Sequence, residues 1–252
     1  MSKSVTITRS GHIAIVKFDR KERLNAFDHA LVAEMIEAGK SFQDDFETRA
    51  IIVTGADNAF SSGADLKARD YTKDMSPVEA RHMRSAGVRL CRIWEDLPQV
   101  TIAAINGLAV GAGVAFAIAL DWRVMDNDAY FFVPEVRHGW NIQWGTMPRL
   151  VSLVGPARAK QASLLCERMT AAEALDWGLV DRVSEPQQAV AGAMKLAERI
   201  AEFDPVPVRM IKEAINAAAG ANFRAASFGD ADQNILSGFY ADMRAKKETE
   251  GS

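Results

Sequence analysis

Two segments of small residues have the composition of loops that expose their backbone to a ligand. One reads Ala-Phe-Ser-Ser-Gly-Ala-Asp-Leu at 59–66, and the other reads Ala-Ile-Asn-Gly-Leu-Ala-Val-Gly-Ala-Gly at 104–113. Each follows or continues a β-rich apolar run, and small side chains leave backbone N–H groups accessible. Such groups can hold an oxyanion that develops during a reaction. The same residues also suit a plain strand-to-helix turn at 59–66 and tight helix-to-sheet packing at 104–113.

The third candidate feature is Glu135, at the end of an aromatic strand. Its neighbours in the sequence include Phe131, Phe132, Trp140 and Trp144. Burial among these aromatic side chains would raise the pKa of the Glu135 carboxyl toward the range of a general base. The alternative is a solvated glutamate on the surface after a strand.

The sequence excludes several other kinds of site. Its four histidines form neither an HExxH motif nor metal-ligand spacing, and no G-x-S-x-G motif presents a nucleophilic serine. The run G-A-G-V-A-F lacks the third glycine of the dinucleotide fingerprint, and there is no Walker lysine. Cys91 and Cys166 stand far apart without a CxxC motif, which predicts buried thiols. The sequence therefore predicts neither a metal nor a nucleotide cofactor.

Charge and hydropathy argue against nucleic acid and membrane partners. The 252 residues carry 30 Lys and Arg against 33 Asp and Glu, so no sequence-wide attraction for phosphates arises. The longest apolar stretch, 100–120, is interrupted by Thr101, Asn106 and glycines, which favours a buried strand, turn and helix over a membrane span. The N-terminal residues resemble no targeting segment, and we expect a cytoplasmic protein. The basic residues at 20–23 suit either a solvated face or a phosphate contact.

The elements that must position these residues alternate between strands and helices, which predicts an α/β fold. The predicted strands are a hairpin at 5–18, then 50–54, 100–105, 122–125, 130–133 and 179–183. The predicted helices follow Asp28 through Gln43, Ser76 to about Trp94, 110–120, and Thr170 to Gly178, with capping boxes at Ser76 and Thr170. After Glu185 only three helical stretches are predicted, as a small appendage to the body.

Taken together, these motifs resemble the crotonase family, the enoyl-CoA hydratase/isomerase superfamily. The resemblance spans nearly the whole chain: R-L-N-A-F at 23–27, the two segments above, Pro134-Glu135, L-V-G-P-A-R-A at 153–159 and A-x-E-A-L-x-W-G-L-V-D at 171–181. It implies a crotonase-like spiral of ββα units at 1–195 that binds and transforms a CoA ester. A helical C-terminal region at 196–252 would build homotrimers, often stacked into hexamers.

The resemblance also implies roles for individual residues. Family members bind acyl-CoA thioesters as substrates, without a separate cofactor, and stabilise the thioester enolate with two backbone N–H groups. Those groups match Ala64 and Ala112 in this sequence. The second position is normally glycine, although a backbone N–H donor does not require one. The substrate and its CoA moiety would lie against Leu24, Ala26, Ser62, Asp65, Leu66, Gly111 and Trp140.

One departure from the family pattern concerns the catalytic acids. Family hydratases hold a water molecule between two glutamates, and here the first of these positions is Ala115 while the second is Glu135. A single glutamate can still move a proton between carbons, as in the family's enoyl-CoA isomerases, or serve its hydroxycinnamoyl-CoA hydratase-lyases. Asn141 or Gln143 would be candidates to replace the lost hydrogen bonds to water.

A different class of function also fits the departure at Ala115. A catalytically weak acyl-CoA binding protein would keep the fold and lack the acid. The acyl group is not predicted, because the depth of the pocket depends on which large side chains point inward: Phe27, Tyr71, Met75, Met83, Trp140 and Phe239.

Overall fold

The computed structural model describes residues 4–68 and 74–250. The strands in this part of the chain are β1 (Val5–Ser10), β2 (Ile13–Phe18), β3 (Ala50–Gly55), β4 (Ala59–Ser61), β5 (Val100–Ile105), β6 (Leu108–Val110), β7 (Trp122–Asp126), β8 (Tyr130–Phe132), β9 (Arg168–Thr170) and β10 (Arg182–Ser184). The helices are α1 (His29–Lys40), α2 (Pro77–Arg84), α3 (Ala86–Glu95), α4 (Ala112–Ala117), α5 (Thr146–Leu164), α6 (Ala171–Asp176), α7 (Ala189–Ala201), α8 (Pro205–Ala219), α9 (Phe223–Ser227) and α10 (Asp230–Glu250).

A six-stranded sheet in the order β1-β2-β3-β5-β7-β10 forms the centre of the molecule. The β1–β2 hairpin is antiparallel, and the other neighbouring strands are parallel. Both faces of β3 and β5 are covered, which explains their continuous apolar sequences. Ile51 and Val53 belong to the main core with α1 and α3, whereas Ala50 and Ile52 pack with α7.

A second, four-stranded sheet in the order β4-β6-β8-β9 lies beside the first. Strands β4, β6 and β8 are parallel, and β9 is antiparallel to β8. The sequence predicts a loop at 59–66 and a single helix at 110–120. Instead, β4 and β6 are short strands of three residues, and α4 covers only Ala112–Ala117.

Two predicted helices end earlier than expected. The helix after Asp28 stops at Lys40 rather than Gln43, where the Ser41 hydroxyl donates to the Ala38 carbonyl. The helix predicted from Ser76 to Trp94 is divided into α2 and α3 at Ser85, whose hydroxyl donates to the His82 carbonyl. Local side-chain-to-backbone bonds of this kind compete with the regular helical ladder.

The strand predicted at 179–183 begins only at Arg182, because the N–H groups of Leu179 and Val180 both donate to the Ala174 carbonyl of α6. After Glu185 the described chain forms four helices rather than three, since a break at 228–229 separates α9 from α10. The predicted boundary between residues 195 and 196 falls inside α7. That helix packs against the central sheet through the buried residues Ala189, Ala193 and Ala197.

Both cysteines, Cys91 and Cys166, are buried as predicted.

Candidate active site

The smaller sheet brings the three candidate segments together. Residues 62–66 follow β4, Gly111 follows β6, and Pro134 and Glu135 lie two and three residues past the end of β8. Because these three strands are parallel neighbours, their carboxyl ends meet at one edge of the sheet. Loops at that edge of a parallel sheet commonly form ligand sites.

The first two segments touch each other through glycines. A methyl group on Gly63 would come within 2.8 Å of the Val110 carbonyl oxygen, and the φ of +95° at Gly63 disfavours any L side chain. A methyl group on Gly113 would likewise come within 2.8 Å of the Ser61 carbonyl oxygen. Small residues are therefore required so that the two backbones can approach.

The backbone N–H groups of Ala64 and Ala112 are directed away from the backbone acceptors of their described neighbours. Phe27 and Ala64 form a parallel bridge in which the Gly63 carbonyl and the Asp65 N–H face Phe27, so the Ala64 N–H points to the other side. Ala112 is the first residue of α4, where an intrahelical acceptor is lacking. Within residues 4–68 and 74–250 neither N–H has a backbone acceptor outside its own element, and both residues line the same cavity.

Glu135 lies against Gly111, directly before the second of these N–H groups. A methyl group on Gly111 would come within 2.5 Å of the Glu135 Oε1 atom. Oε2 is buried and has no hydrogen-bond partner in the described part of the chain. Burial raises the pKa of the Glu135 carboxyl to about 7, since the charged form loses its solvation.

No second acid stands at the position where the family's hydratases carry one. Ala115 is buried and lines the cavity with its methyl group. Asn141 also lines the cavity, but its side-chain amide nitrogen donates to the side-chain oxygen of Gln233 of α10 at 3.0 Å, and its backbone carbonyl accepts from the side chain of Asn234 at 2.8 Å. Gln143 lines the cavity, and its backbone carbonyl accepts from the Thr146 hydroxyl.

The cavity has a volume of about 330 Å³. Of the proposed base, oxyanion and substrate-binding residues, those that line it are Ser62, Ala64, Asp65, Leu66, Gly111, Ala112, Glu135 and Trp140. Leu24 and Ala26 do not line it. Leu24 is 52% exposed and accepts the Ser62 N–H with its carbonyl, whereas Ala26 is buried and its carbonyl accepts from Arg20.

Some of the large side chains that could limit the depth of the pocket line the cavity, and others lie outside it. Phe27, Met83 and Trp140 line the cavity, whereas Met75 and Phe239 do not. Tyr71 lies outside the described residues.

The other carboxylates in the cavity wall are paired. Arg20 forms ion pairs of 3.1 Å with both Asp28 and Asp65, and its hydrogen bond helps to hold the pKa of Asp65 below its ordinary value despite burial. Asp28 also caps α1 by accepting the Leu31 N–H. The charge of Arg20 is thus used in ion pairs inside the protein. Among the described carboxylates in the wall, Glu135 alone has no charged partner.

Comparisons with known proteins identify the family of this chain. The family model described as enoyl-CoA hydratase/isomerase matches residues 8–250. This chain belongs to the enoyl-CoA hydratase/isomerase family. The short-chain-enoyl-CoA hydratase of Clostridium acetobutylicum is 35% identical over 214 residues, which is 84% of this chain and 81% of the relative.

Other members of the family are similarly related. The carnitinyl-CoA dehydratase of Salmonella arizonae is 36% identical and covers 84% of this chain and 80% of its own length. The crystal structure of an enoyl-CoA hydratase/isomerase from Xanthobacter autotrophicus Py2 superposes with a TM-score of 0.86 at 30% identity, covering 94% of this chain and 88% of that one. The α/β architecture is therefore that of the crotonase family.

Several lining residues of this family member were not predicted as part of the site: His29, Gly87, Ile142 and Asn234. Burial lowers the pKa of His29. Gly87 lies on α3 and Asn234 on α10, remote in sequence from every motif, so tertiary packing alone brings them to the cavity. The described residues contain neither a cluster of three metal-ligating side chains nor a helix with the length and apolar character needed to cross a membrane.

Proposed function

We propose that the protein transforms an acyl-CoA thioester by moving a proton with Glu135 while the N–H groups of Ala64 and Ala112 hold the enolate oxygen. The observation that carries this proposal is the Glu135 carboxyl beside Gly111, whose buried Oε2 has no hydrogen-bond partner among the described residues, one residue before the Ala112 N–H, which has no backbone acceptor outside α4 in the same part of the chain. A base and an oxyanion donor are thus close together in one cavity. The family membership supports the thioester as substrate.

The proposed reaction forms an enolate by removal of a proton and then returns that proton to another carbon. The Glu135 carboxylate removes a proton from carbon next to the thioester or conjugated with it, and the electron pair of the broken C–H bond moves onto the thioester oxygen. The two N–H groups stabilise the resulting oxyanion, and each such donor typically contributes ~3–4 kcal/mol to lowering the barrier. Return of the same proton to another carbon completes a double-bond isomerisation.

Addition or removal of water is the second candidate reaction. It is favoured by the relatives named short-chain-enoyl-CoA hydratase and carnitinyl-CoA dehydratase. With Ala115 in place of the other acid, Glu135 would have to act on the water alone, as in the hydroxycinnamoyl-CoA hydratase-lyase alternative. A catalytically weak binding protein is the remaining alternative.

The CoA moiety would enter where the cavity meets solvent. Leu66 in the wall is 51% exposed, and the exposed residue Leu24 accepts a hydrogen bond with its carbonyl from the N–H of Ser62, another residue of the wall. The proposed homotrimer or hexamer is supported by the apolar side chains that α8 exposes: Val206, Met210, Ile211 and Ile215. Light scattering after size-exclusion chromatography measures the molar mass and so tests the proposed homotrimer or hexamer. The cytoplasmic location stays a prediction.

The decisive experiment is product analysis by chromatography with crotonyl-, 3-hexenoyl-, feruloyl- and malonyl-CoA. We expect isomerised or hydrated product from at least one thioester and a ~10²–10⁴-fold loss of kcat in Glu135→Gln with nearly unchanged CoA-ester affinity. Glu167→Gln is the matched control, because Glu167 is exposed and outside the cavity. An unchanged kcat in Glu135→Gln would remove this residue from the mechanism, and tight binding without any turnover would favour the binding protein.

A further inference from the structure

The ring of Trp144 occupies space that only a glycine leaves on the neighbouring helix. A methyl group on Gly87 of α3 would come within 1.9, 2.0 and 2.4 Å of three atoms of the indole ring. The ring also lies edge-to-face against Phe27, with centroids 5.4 Å apart. All three residues line the cavity, so the indole forms the wall between α3 and the loop that carries Trp144.

The backbone of Trp144 is held in place by a buried arginine. Arg149 donates from Nη1 to the carbonyls of Trp144 and Gly145, at 2.9 and 3.0 Å. Its Nε and Nη2 atoms bind both carboxylate oxygens of Glu95, at 2.8 and 2.7 Å. Glu95 ends α3, the helix that carries Gly87, so the loop and the helix are joined by one bidentate ion pair.

A second contact restrains the same loop from the C-terminal region. The Gly145 N–H donates to Asp230 of α10 at 2.9 Å. Trp144 itself adopts a φ of +67°, which L residues rarely adopt without restraint from their surroundings. The backbone that carries the indole ring is therefore restrained from two sides.

We infer that the Gly87–Trp144 pair determines the length of the acyl group, restricting the cavity to short-chain acyl-CoA thioesters. This inference rests on the proposed function. The indole blocks the space between α3 and the loop, so a longer chain would have to displace a ring whose backbone is fixed by Arg149. Removing the ring opens that space without touching Glu135 or the N–H groups of Ala64 and Ala112.

The test compares kcat/KM for straight-chain enoyl-CoA thioesters of four, six, eight and ten carbons, using the reaction that the wild type catalyses. We expect the wild type to prefer the shortest members. Trp144→Ala should raise the ratio of ten-carbon to four-carbon kcat/KM by ~10-fold or more, in line with the discrimination that a few methylenes provide in an apolar pocket. Trp177→Ala is the matched control, since Trp177 is also half-buried but lies outside the cavity.

A double-mutant cycle keeps the test informative if Trp144→Ala folds poorly. Gly87→Ala should disturb the chain-length profile when Trp144 is present, because the methyl group and the indole cannot occupy the same space. The same methyl should be tolerated beside Trp144→Leu, so the two substitutions should be strongly non-additive. Additive effects, or a wild-type profile in a folded Trp144 variant that turns over substrate, would overturn the inference. Absence of both turnover and acyl-CoA binding in the wild type would instead overturn the proposed function.

Discussion

Glu135 differs from Asp28 and Asp65 in that it has no positively charged partner in the described part of the chain. Arg20 pairs with both aspartates, whereas the Glu135 carboxyl is buried against Gly111 with Oε2 unpartnered in the described part of the chain. The two aspartates are therefore held in ion pairs, whereas the surroundings of Glu135 suit the proton transfer that we propose for it, as expected when surroundings move pKa values apart.

The raised pKa of Glu135 predicts a pH-dependent activity. A pKa of about 7 means that the base form is populated only as the pH rises through neutrality. We expect kcat/KM for proton abstraction to increase tenfold per pH unit below about pH 7 and to level off above it. Rate measurements between pH 5 and 9 test this, and a flat profile limited by chemistry would contradict it.

The same shift predicts a change in stability. The folded-state pKa of about 7 is above the ordinary value of 4.5, so the stabilisation by protonated Glu135 is present below about pH 4.5 and is lost as the pH rises to 7. Relative to wild type, Glu135→Gln should gain on the order of 2–3 kcal/mol in free energy of unfolding between pH 5 and pH 8. Urea denaturation at both values measures this gain, which would be zero if the carboxylate were well solvated.

At the level of elements, the smaller sheet determines where the site residues lie. Its strands β4, β6 and β8 end at one edge, and the glycines at 63 and 113 let the first two loops pack closely. The N–H groups are consequently positioned by backbone packing rather than by side chains. Ala112, where the family resemblance implies a glycine, therefore keeps a backbone N–H that can serve the proposed role.

Substitution of Gly63 tests this packing. Gly63→Ala places a methyl group 2.8 Å from the Val110 carbonyl oxygen and should separate the two loops, lowering kcat by ~10²-fold or more because a misplaced oxyanion donor costs that much. Gly155→Ala is the matched control: its φ of +75° is similarly unfavourable, but nothing lies within 4 Å of the added methyl. Equal effects of both variants on kcat would contradict the packing argument.

The sequence predicted elements that have a clear local signature better than the others, whereas the nineteen-residue helix α5, which contains Gly155 and Pro156, was not predicted. The continuous apolar runs of β3 and β5 and the capping boxes at Ser76 and Thr170 were recognised because each has a local physical signature. Strands β4 and β6 were missed, since three residues are too few for a period of two to appear. Burial of Glu135 followed from its aromatic neighbours, whereas the pairing of Arg20 with Asp65 depends on residues far apart in the chain.

At the scale of the whole molecule, the C-terminal helices are joined to the body by buried polar contacts. Lys212 of α8 donates to the Gln99 carbonyl at 2.6 Å and pairs with Asp121 at 2.7 Å. Burial lowers the pKa of Lys212, and the charge of Asp121 partly opposes this shift. Further along the chain, α10 holds the cavity loop through Asn234 and Asp230. The C-terminal region thus contributes to the shape of the site.

Lys212→Met should therefore destabilise the protein strongly. The substitution leaves the Asp121 carboxylate near the core without its cation, and breaking a buried pair in this way typically costs ~3–5 kcal/mol. Adding Asp121→Asn should recover part of the loss, since the uncompensated charge is then removed. Urea denaturation of the single and double variants measures both effects, and a loss below about 1 kcal/mol in the single variant would contradict the role given to this pair.

Exchange of the α-proton tests the central claim most directly, because it requires only enolate formation and no particular acyl product. Butyryl-CoA is incubated with the protein in D₂O, and deuterium at the carbon next to the thioester is followed by mass spectrometry. We expect the wild type to catalyse deuterium incorporation. The rate of incorporation should fall ~10²-fold or more in Glu135→Gln and stay unchanged in Glu167→Gln. Incorporation at the wild-type rate in Glu135→Gln, or none in a wild type that binds butyryl-CoA, would contradict the central claim.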